Sequence, residues 1–140
     1  MIVLDTNVLS ELIRPEPDGR VMTWVARQRR AELYTTAVSE AELAYGLALL
    51  PKSRRREALV QGVARLLGEG LGGRVLPFDR AAAAAYGTFA AMRRAAGRPV
   101  TTADAQIAAI ARARGAALLA TRDTGGLEGC GVALANPWRD

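Results

Sequence analysis

A short apolar run at the start of the chain limits the possible folds sharply. Ile2-Val3-Leu4 contains no polar residue and is rich in β-branched side chains, and Asp5 ends it abruptly. Such a run predicts a strand that is buried on both faces, as in a parallel sheet covered by helices. The chain is therefore expected to carry helices on both sides of a central sheet.

The rest of the chain alternates between strand-like and helix-like patterns. Further strands are predicted at 33–36, 75–78, 117–120 and 132–135, and helices at 8–14, 21–29, 39–50, 54–67, 80–96 and from 101 or 102 to about 114. The glycine-rich segment 68–73 is predicted to be a loop. The alternation predicts a three-layer α/β fold with a mostly parallel sheet of four to five strands, in a single domain spanning residues 1–140.

Composition excludes several kinds of chemistry. The chain has no histidine and one cysteine, Cys130, so a histidine-based triad, a zinc site of histidines or thiolates and an internal disulfide are all excluded. The net charge is +5 and Lys52 is the only lysine among 19 basic residues. Abundant arginine suits a polyanionic partner, although it also fits a GC-rich genome. A cytoplasmic protein is expected, because no signal segment or membrane span is visible.

Four acidic residues lie where strands and helices are predicted to meet. Asp5 ends the first strand, Asp123 follows the fourth, and Glu42 and Asp104 lie in the first turns of two helices. Ligands of open α/β sheets bind at the carboxyl ends of the strands, so these acids are expected at one edge. Two like charges 4 Å apart repel by about 4 kcal/mol at an effective dielectric of about 20. The cluster therefore predicts a bound cation, and Mg²⁺ takes one or two carboxylates while keeping waters and contacting phosphates.

Each acid also has a purely structural interpretation. Ser39-Glu40-Ala41-Glu42 fits a capping box with Glu42 at the third helical position, and Asp104 lies in a looser form of that pattern. Asp5 fits a helix cap and Asp123 a turn cap. Together the positions favour the cation site, because Asp5 closes an apolar strand and Asp104 interrupts a helix of mostly alanine and isoleucine.

Motifs along the whole chain resemble those of one family. The opening MIVLDTNVLSEL resembles that of PIN-domain toxins of the VapC type, especially the FitB-like branch. Three further segments are similar to the later motifs of that family. They are Ser39–Glu42 with Tyr45-Gly46, then Thr102–Ala109, and finally Ala120–Asp123 with Asn136-Pro137-Trp138. Gly125-Gly126-Leu127 departs from the family pattern, in which an acidic residue and phenylalanine are common, and this affects the expected loop packing.

The resemblance implies a ribonuclease that hydrolyses RNA phosphodiester bonds with Mg²⁺ or Mn²⁺. The acidic quartet and the supporting hydroxyls that it implies are Asp5, Glu42, Asp104 and Asp123, with Thr6 and Thr121. We expect Asp5 and Asp104 to bind the metal directly, and the other two acids to orient metal-bound waters or a second ion. The resemblance also implies the toxin of a type II toxin–antitoxin pair and a small antitoxin that blocks the site and binds operator DNA. A homodimer or a larger toxin–antitoxin assembly is implied as well.

Two other functions are compatible with the sequence. One is a catalytically idle PIN-like module that acts as part of a DNA-binding repressor complex. The other is a different Mg²⁺-dependent phosphohydrolase on a similar sheet. Such enzymes commonly need an aspartate nucleophile and a lysine, and Lys52 lies between two predicted helices rather than at the end of a strand.

Overall fold

The computed structural model describes all residues from Met1 to Asp140. Its strands and helices follow one another in the order β1 (Ile2–Leu4), α1 (Thr6–Leu12), α2 (Gly19–Ala26), β2 (Leu33–Thr36), α3 (Ala37–Ala48), α4 (Arg54–Arg65), β3 (Val75–Leu76), α5 (Arg80–Ala95), α6 (Thr102–Ala113), β4 (Leu118–Ala120) and β5 (Leu134–Ala135). None of the helices is both long and apolar enough to cross a membrane.

The five strands form one parallel sheet, in agreement with the predicted fold class. Its strand order is β3-β2-β1-β4-β5, so the first strand of the chain lies in the centre. Val3 lies opposite Tyr34 on one side and Leu119 on the other. Because every strand runs in the same direction, the carboxyl ends of β1, β2 and β4 meet at one edge of the sheet.

Side chains of β1 point alternately to the two faces of the sheet, and each face has its own core. Ile2 and Leu4 pack in a cluster with Val8 and Leu9 of α1 and with Leu43 of α3. On the other face, Val3 of β1 packs against residues of α5, α6, β4 and the loop that follows β4. The apolar run at the start of the chain is therefore buried on both sides, as predicted.

Helix α3 begins two residues earlier than predicted, and the capping-box interpretation of Glu42 is wrong. The cap is Thr36, the last residue of β2, whose hydroxyl accepts a hydrogen bond from the Ser39 amide at 3.0 Å. Two threonines end β2, and the second accepts from the Ser39 amide, so Ser39 is the third residue of the helix rather than its cap. Glu42 consequently lies in the second turn of α3, where its side chain is free for another role.

The glycine-rich segment is only partly a loop. Leu66–Gly70 forms a π-helical turn that continues α4, and the irregular part begins after it. Gly72 and Gly73 adopt positive φ values of 56° and 70°, a conformation that glycine reaches without steric cost. The segment leads into β3, which ends at Leu76 rather than at the predicted residue 78.

Candidate active site

Asp5 stands at the carboxyl end of the central strand and is almost completely buried. Its carboxylate caps α1 by accepting a hydrogen bond from the Thr6 amide at 2.7 Å. The other oxygen, Oδ2, accepts from the Thr121 hydroxyl at 2.6 Å and from the Asn7 side-chain amide at 3.0 Å. Asp5 is thus held by three donors from both sides of the strand end, and no arginine forms a salt bridge with it.

Burial raises the pKa of Asp5 above its ordinary value. The hydrogen bonds from Thr121 and Thr6 act in the opposite direction, and the negative charges of Asp104 and Glu42 raise this pKa further. Desolvation is the largest of these effects, because the charged form loses contact with water. A cation in the same place would favour the ionised form of Asp5.

Glu42 reaches the site from α3. Its carboxylate accepts a hydrogen bond from the Thr6 hydroxyl at 2.6 Å. Thr6 thus contacts both acids, since its amide binds Asp5 and its hydroxyl binds Glu42. The structure therefore brings together Asp5, Glu42 and Thr6 as the sequence predicted.

Asp104 lies in the first turn of α6, which begins at the same edge of the sheet. Thr101 caps this helix by accepting a hydrogen bond from the Asp104 amide at 3.2 Å. The Asp104 side chain lines one cleft with Asp5 and Glu42. Three of the four predicted acids therefore face a common space.

Asp123 is the predicted acid that the structure does not bring into this cleft. It is exposed, and its carboxylate accepts a hydrogen bond from the Gly126 amide at 2.9 Å, as a turn cap does. Its amide binds the Thr121 hydroxyl, so it lies beside the site without lining it. A metal-binding role for Asp123 stays a prediction.

The cleft encloses about 530 Å³ and contains residues that sequence reasoning missed. Asn7 joins two parts of the site, because its amide nitrogen donates to Asp5 and its oxygen accepts from the Arg122 amide at 3.1 Å. The Arg122 guanidinium lies 5.1 Å from the centre of the Trp138 ring. Asn7 could have been found from its place in the first turn of α1. Arg122 could not have been found from the sequence, because the Trp138 ring that it contacts comes 16 positions later in the chain.

Glu11 is a further acid of the cleft that the sequence did not single out. It is buried and accepts hydrogen bonds from the Asp18 amide at 2.8 Å and from the Arg14 guanidinium at 3.3 Å. These contacts close the loop between α1 and α2. The charge of Glu11 is therefore already compensated by the Arg14 guanidinium and the Asp18 amide.

The oxygen donors of the cleft suit Mg²⁺ held by few carboxylates. No three acidic side chains lie close enough together to chelate one ion. Mg²⁺ binds through one or two carboxylates and keeps several waters, so a full cage is not required. Asp5, buried between two other acids and without a counter-ion, is a carboxylate whose charge a hard cation would stabilise.

The fold and the cleft define an α/β protein with an acidic site at the end of a central parallel strand. The family model described as PIN domain matches residues 2–128, and the chain belongs to this family. Among its relatives, the VapC ribonuclease Y4jK of Sinorhizobium fredii is 45% identical over 99% of this chain and 98% of the relative. Toxin FitB of Neisseria gonorrhoeae is 38% identical over the whole of both chains. A solved structure of FitAB bound to a DNA fragment superimposes with a TM-score of 0.90 and 36% identity, covering 100% of this chain and 97% of that one.

Proposed function

We propose that this protein is a Mg²⁺-dependent ribonuclease that hydrolyses phosphodiester bonds in RNA and is the toxin of a type II toxin–antitoxin pair. The observation that carries the proposal is the buried carboxylate of Asp5, which shares its cleft with Glu42 and Asp104 in a chain without histidine. The names of the relatives, a VapC ribonuclease and a toxin, support the same activity.

The three acids and their neighbours have separate roles in this reaction. Asp5 and Asp104 would bind Mg²⁺ or Mn²⁺ directly, and Glu42 would orient a water molecule. When bound, the metal supplies a Lewis acid for the phosphate and lowers the pKa of water. Thr6, Thr121 and Asn7 fix the two oxygens of Asp5 and the carboxylate of Glu42 by hydrogen bonds.

Arg122 is the residue of the cleft best placed to bind a phosphate of the substrate. Its guanidinium forms no salt bridge and lies over the Trp138 ring, which restricts its motion. An arginine without a carboxylate partner keeps its donors available for two phosphate oxygens. RNA is therefore bound by positive charge at the border of a negative cleft.

Replacing Asp5 tests the proposed reaction. Asp5→Asn keeps the size of the side chain but removes its charge, and we expect RNA cleavage in Mg²⁺ or Mn²⁺ to fall by about 100-fold or more with unchanged circular dichroism. Asp79→Asn is the matched control, because Asp79 caps α5 outside the cleft and asparagine caps equally well. Wild-type cleavage by a folded Asp5→Asn variant would remove the assigned role.

We propose further that a small antitoxin inhibits the enzyme by placing an arginine among the three acids. An arginine offers a planar fork of donors to carboxylates, and the cleft has room for such a side chain. The FitAB complex on DNA supports a partner of this kind and DNA binding through it. A crystal structure of this chain with its partner should show the arginine, and an inhibitor that leaves the cleft empty would contradict the proposal.

We propose the cytoplasm as the location of the protein, because cellular RNA is the proposed substrate. We propose a homodimer as its oligomeric state, which analytical sedimentation would test. The two other functions have less support. An idle module has no need of three acids in one cleft. A phosphohydrolase that uses lysine is disfavoured, because Lys52 is exposed between α3 and α4 and lines no part of the cleft.

A further inference from the structure

A second cavity adjoins the acidic cleft. It encloses about 360 Å³ between α2 and the C-terminal residues, and Trp138 lines both spaces. We name it the arginine–tryptophan pocket after its main residues, which are Arg20, Trp24, Arg27, Trp138 and Arg139. No step of the proposed reaction takes place in this pocket, although Trp138 belongs to the walls of both spaces.

Two positive charges of the arginine–tryptophan pocket have no partner. Arg20 forms a salt bridge with Asp18 at 2.8 Å, and Asp140 accepts a hydrogen bond from the Asn136 amide at 2.7 Å. The guanidiniums of Arg27 and Arg139 are exposed and form no hydrogen bond or salt bridge. The pocket therefore offers two free cationic forks to an anion.

The pocket also contains both tryptophans of the chain. Trp138 is buried and forms the wall shared with the cleft, whereas Trp24 is half-buried on α2 and packs against the core. Indole rings beside arginines form the kind of surface on which the bases of single-stranded nucleic acid stack. The ligand that matches both features of the pocket is a nucleotide, because it carries an anionic phosphate for the arginines and a flat base for the indole ring.

We propose that the arginine–tryptophan pocket binds one nucleotide of single-stranded RNA that flanks the bond being cut. Arg27 and Arg139 bind its phosphate, and its base lies against Trp24. This inference rests on the proposed ribonuclease activity, because the strand that crosses the acidic cleft continues past Trp138 into the pocket. A nucleotide is favoured over a protein segment, since free arginines and an indole ring recognise its phosphate and its base together.

The salt dependence of RNA binding tests the pocket. A single-stranded RNA oligonucleotide is titrated in EDTA, where no cleavage occurs, and the fluorescence of the two tryptophans reports the binding. We expect the double variant Arg27→Ala/Arg139→Ala to lose two phosphate contacts, which lowers the slope of log K against log salt by about 1.4 and weakens binding about 25-fold at 0.1 M salt.

The matched control is Arg80→Ala/Arg94→Ala, which removes two exposed arginines of α5 that form no salt bridge. It should bind RNA nearly as tightly as the wild type and show the same tryptophan quenching. An equal loss of affinity in both double variants would overturn the proposal, because net charge alone would then explain the effect. An unchanged Kd and slope in the Arg27→Ala/Arg139→Ala variant would overturn it as well.

Cleavage kinetics separate this inference from the proposed function. In Mn²⁺ the Arg27→Ala/Arg139→Ala variant should show a KM about 25-fold higher with kcat nearly unchanged, because the reacting groups are intact. A wild type that cleaves no RNA would refute the ribonuclease itself. A variant that cleaves RNA with the KM of the wild type but binds the partner protein weakly would show that the pocket receives a protein segment, and would overturn the inference.

Discussion

Asp5 is surrounded by hydrogen-bond donors rather than by positive charges. Thr121, Asn7 and the Thr6 amide contact its two oxygens, and no arginine forms a salt bridge with it. The carboxylate is therefore fixed in position but costly to ionise, and its pKa is raised by burial. Such a group gains stability from a cation more than from any further hydrogen bond.

Removing the Thr121 hydroxyl should cost more at neutral pH than at acidic pH. Thr121→Val removes a donor to a charged carboxylate and the acceptor of the Asp123 amide. We expect the free energy of unfolding to fall by about 2 kcal/mol at pH 7, and only the lost bond to Asp5 makes this cost depend on pH. The variant raises the folded pKa of Asp5 further above its unfolded value, so stability is lost as pH rises through the folded pKa. Below that pKa Asp5 is protonated in both proteins, and the difference shrinks.

Thr35→Val provides the matched control for urea unfolding at both pH values. Thr35 is as buried as Thr121, but its hydroxyl donates to the neutral carbonyl of Leu4 at 2.8 Å. Its loss should cost about 1 kcal/mol and depend little on pH. Equal costs for the two variants at every pH would show that the charge of Asp5 plays no part.

Helices α3 and α6 carry Glu42 and Asp104 to the cleft, and a threonine caps each of them. Thr36 fixes the first turn of α3, and Thr101 fixes that of α6. A helix end that frays moves the acid that it carries, because Asp104 lies only two residues inside the start of α6. In the proposed reaction, the capping residues would therefore act on catalysis through the positions of the acids.

Two capping variants with similar effects on stability should differ in activity. Thr101→Ala and Ser53→Ala each remove an exposed cap from a helix of 12 residues, and each should cost about 1 kcal/mol of stability. Only Thr101→Ala should lower kcat, because α4 contributes no acid to the cleft. Measurements well below both melting temperatures keep the variants folded. Equal activities would mean that the cap does not position Asp104.

The position of Asp5 could be predicted from the sequence, because an acid that directly follows a buried strand of a parallel sheet lies at the carboxyl edge of that sheet. The sequence predicts Glu42 in the site, but it places the start of α3 at Ser39 instead of Ala37, since Thr36 and Ser39 are both good caps. The direction of the Asp123 side chain could not be predicted, because a turn amide and a metal both attract a carboxylate. The Arg122–Trp138 contact depends on packing between distant segments.

The whole molecule combines a positive net charge with a negative cleft. In the proposed reaction, the net charge of +5 favours the approach of RNA, whereas the negative charges of Asp5, Glu42 and Asp104 repel its phosphates in the cleft. A cation that bound both the acids and the phosphate would remove this conflict. In the protein without metal, the mutual repulsion of the acids opposes folding.

Metal should therefore stabilise the wild-type protein. At about 100 times its dissociation constant, Mg²⁺ should add about 2.7 kcal/mol and raise Tm by roughly 10 °C. Asp104→Asn in EDTA should be at least as stable as the wild type, because one repelling charge is gone, and it should gain less from metal. If Asp104 served only the helix terminus, the variant would lose up to about 1 kcal/mol. Thermal melts with EDTA and with MgCl₂ distinguish these cases.

The hydrogen bond between Thr121 and Asp5 joins residues 116 positions apart, and it has a consequence for synthesis. Asp5 and Glu42 leave the ribosome early, whereas Asp104, Thr121 and β4 follow only when most of the chain has been translated. A nascent fragment carries two acids but has neither the third acid nor the hydroxyl that fixes Asp5. In the proposed reaction the site is complete only when the last strands are in place, so a ribosome that is still elongating this chain would not carry an active nuclease.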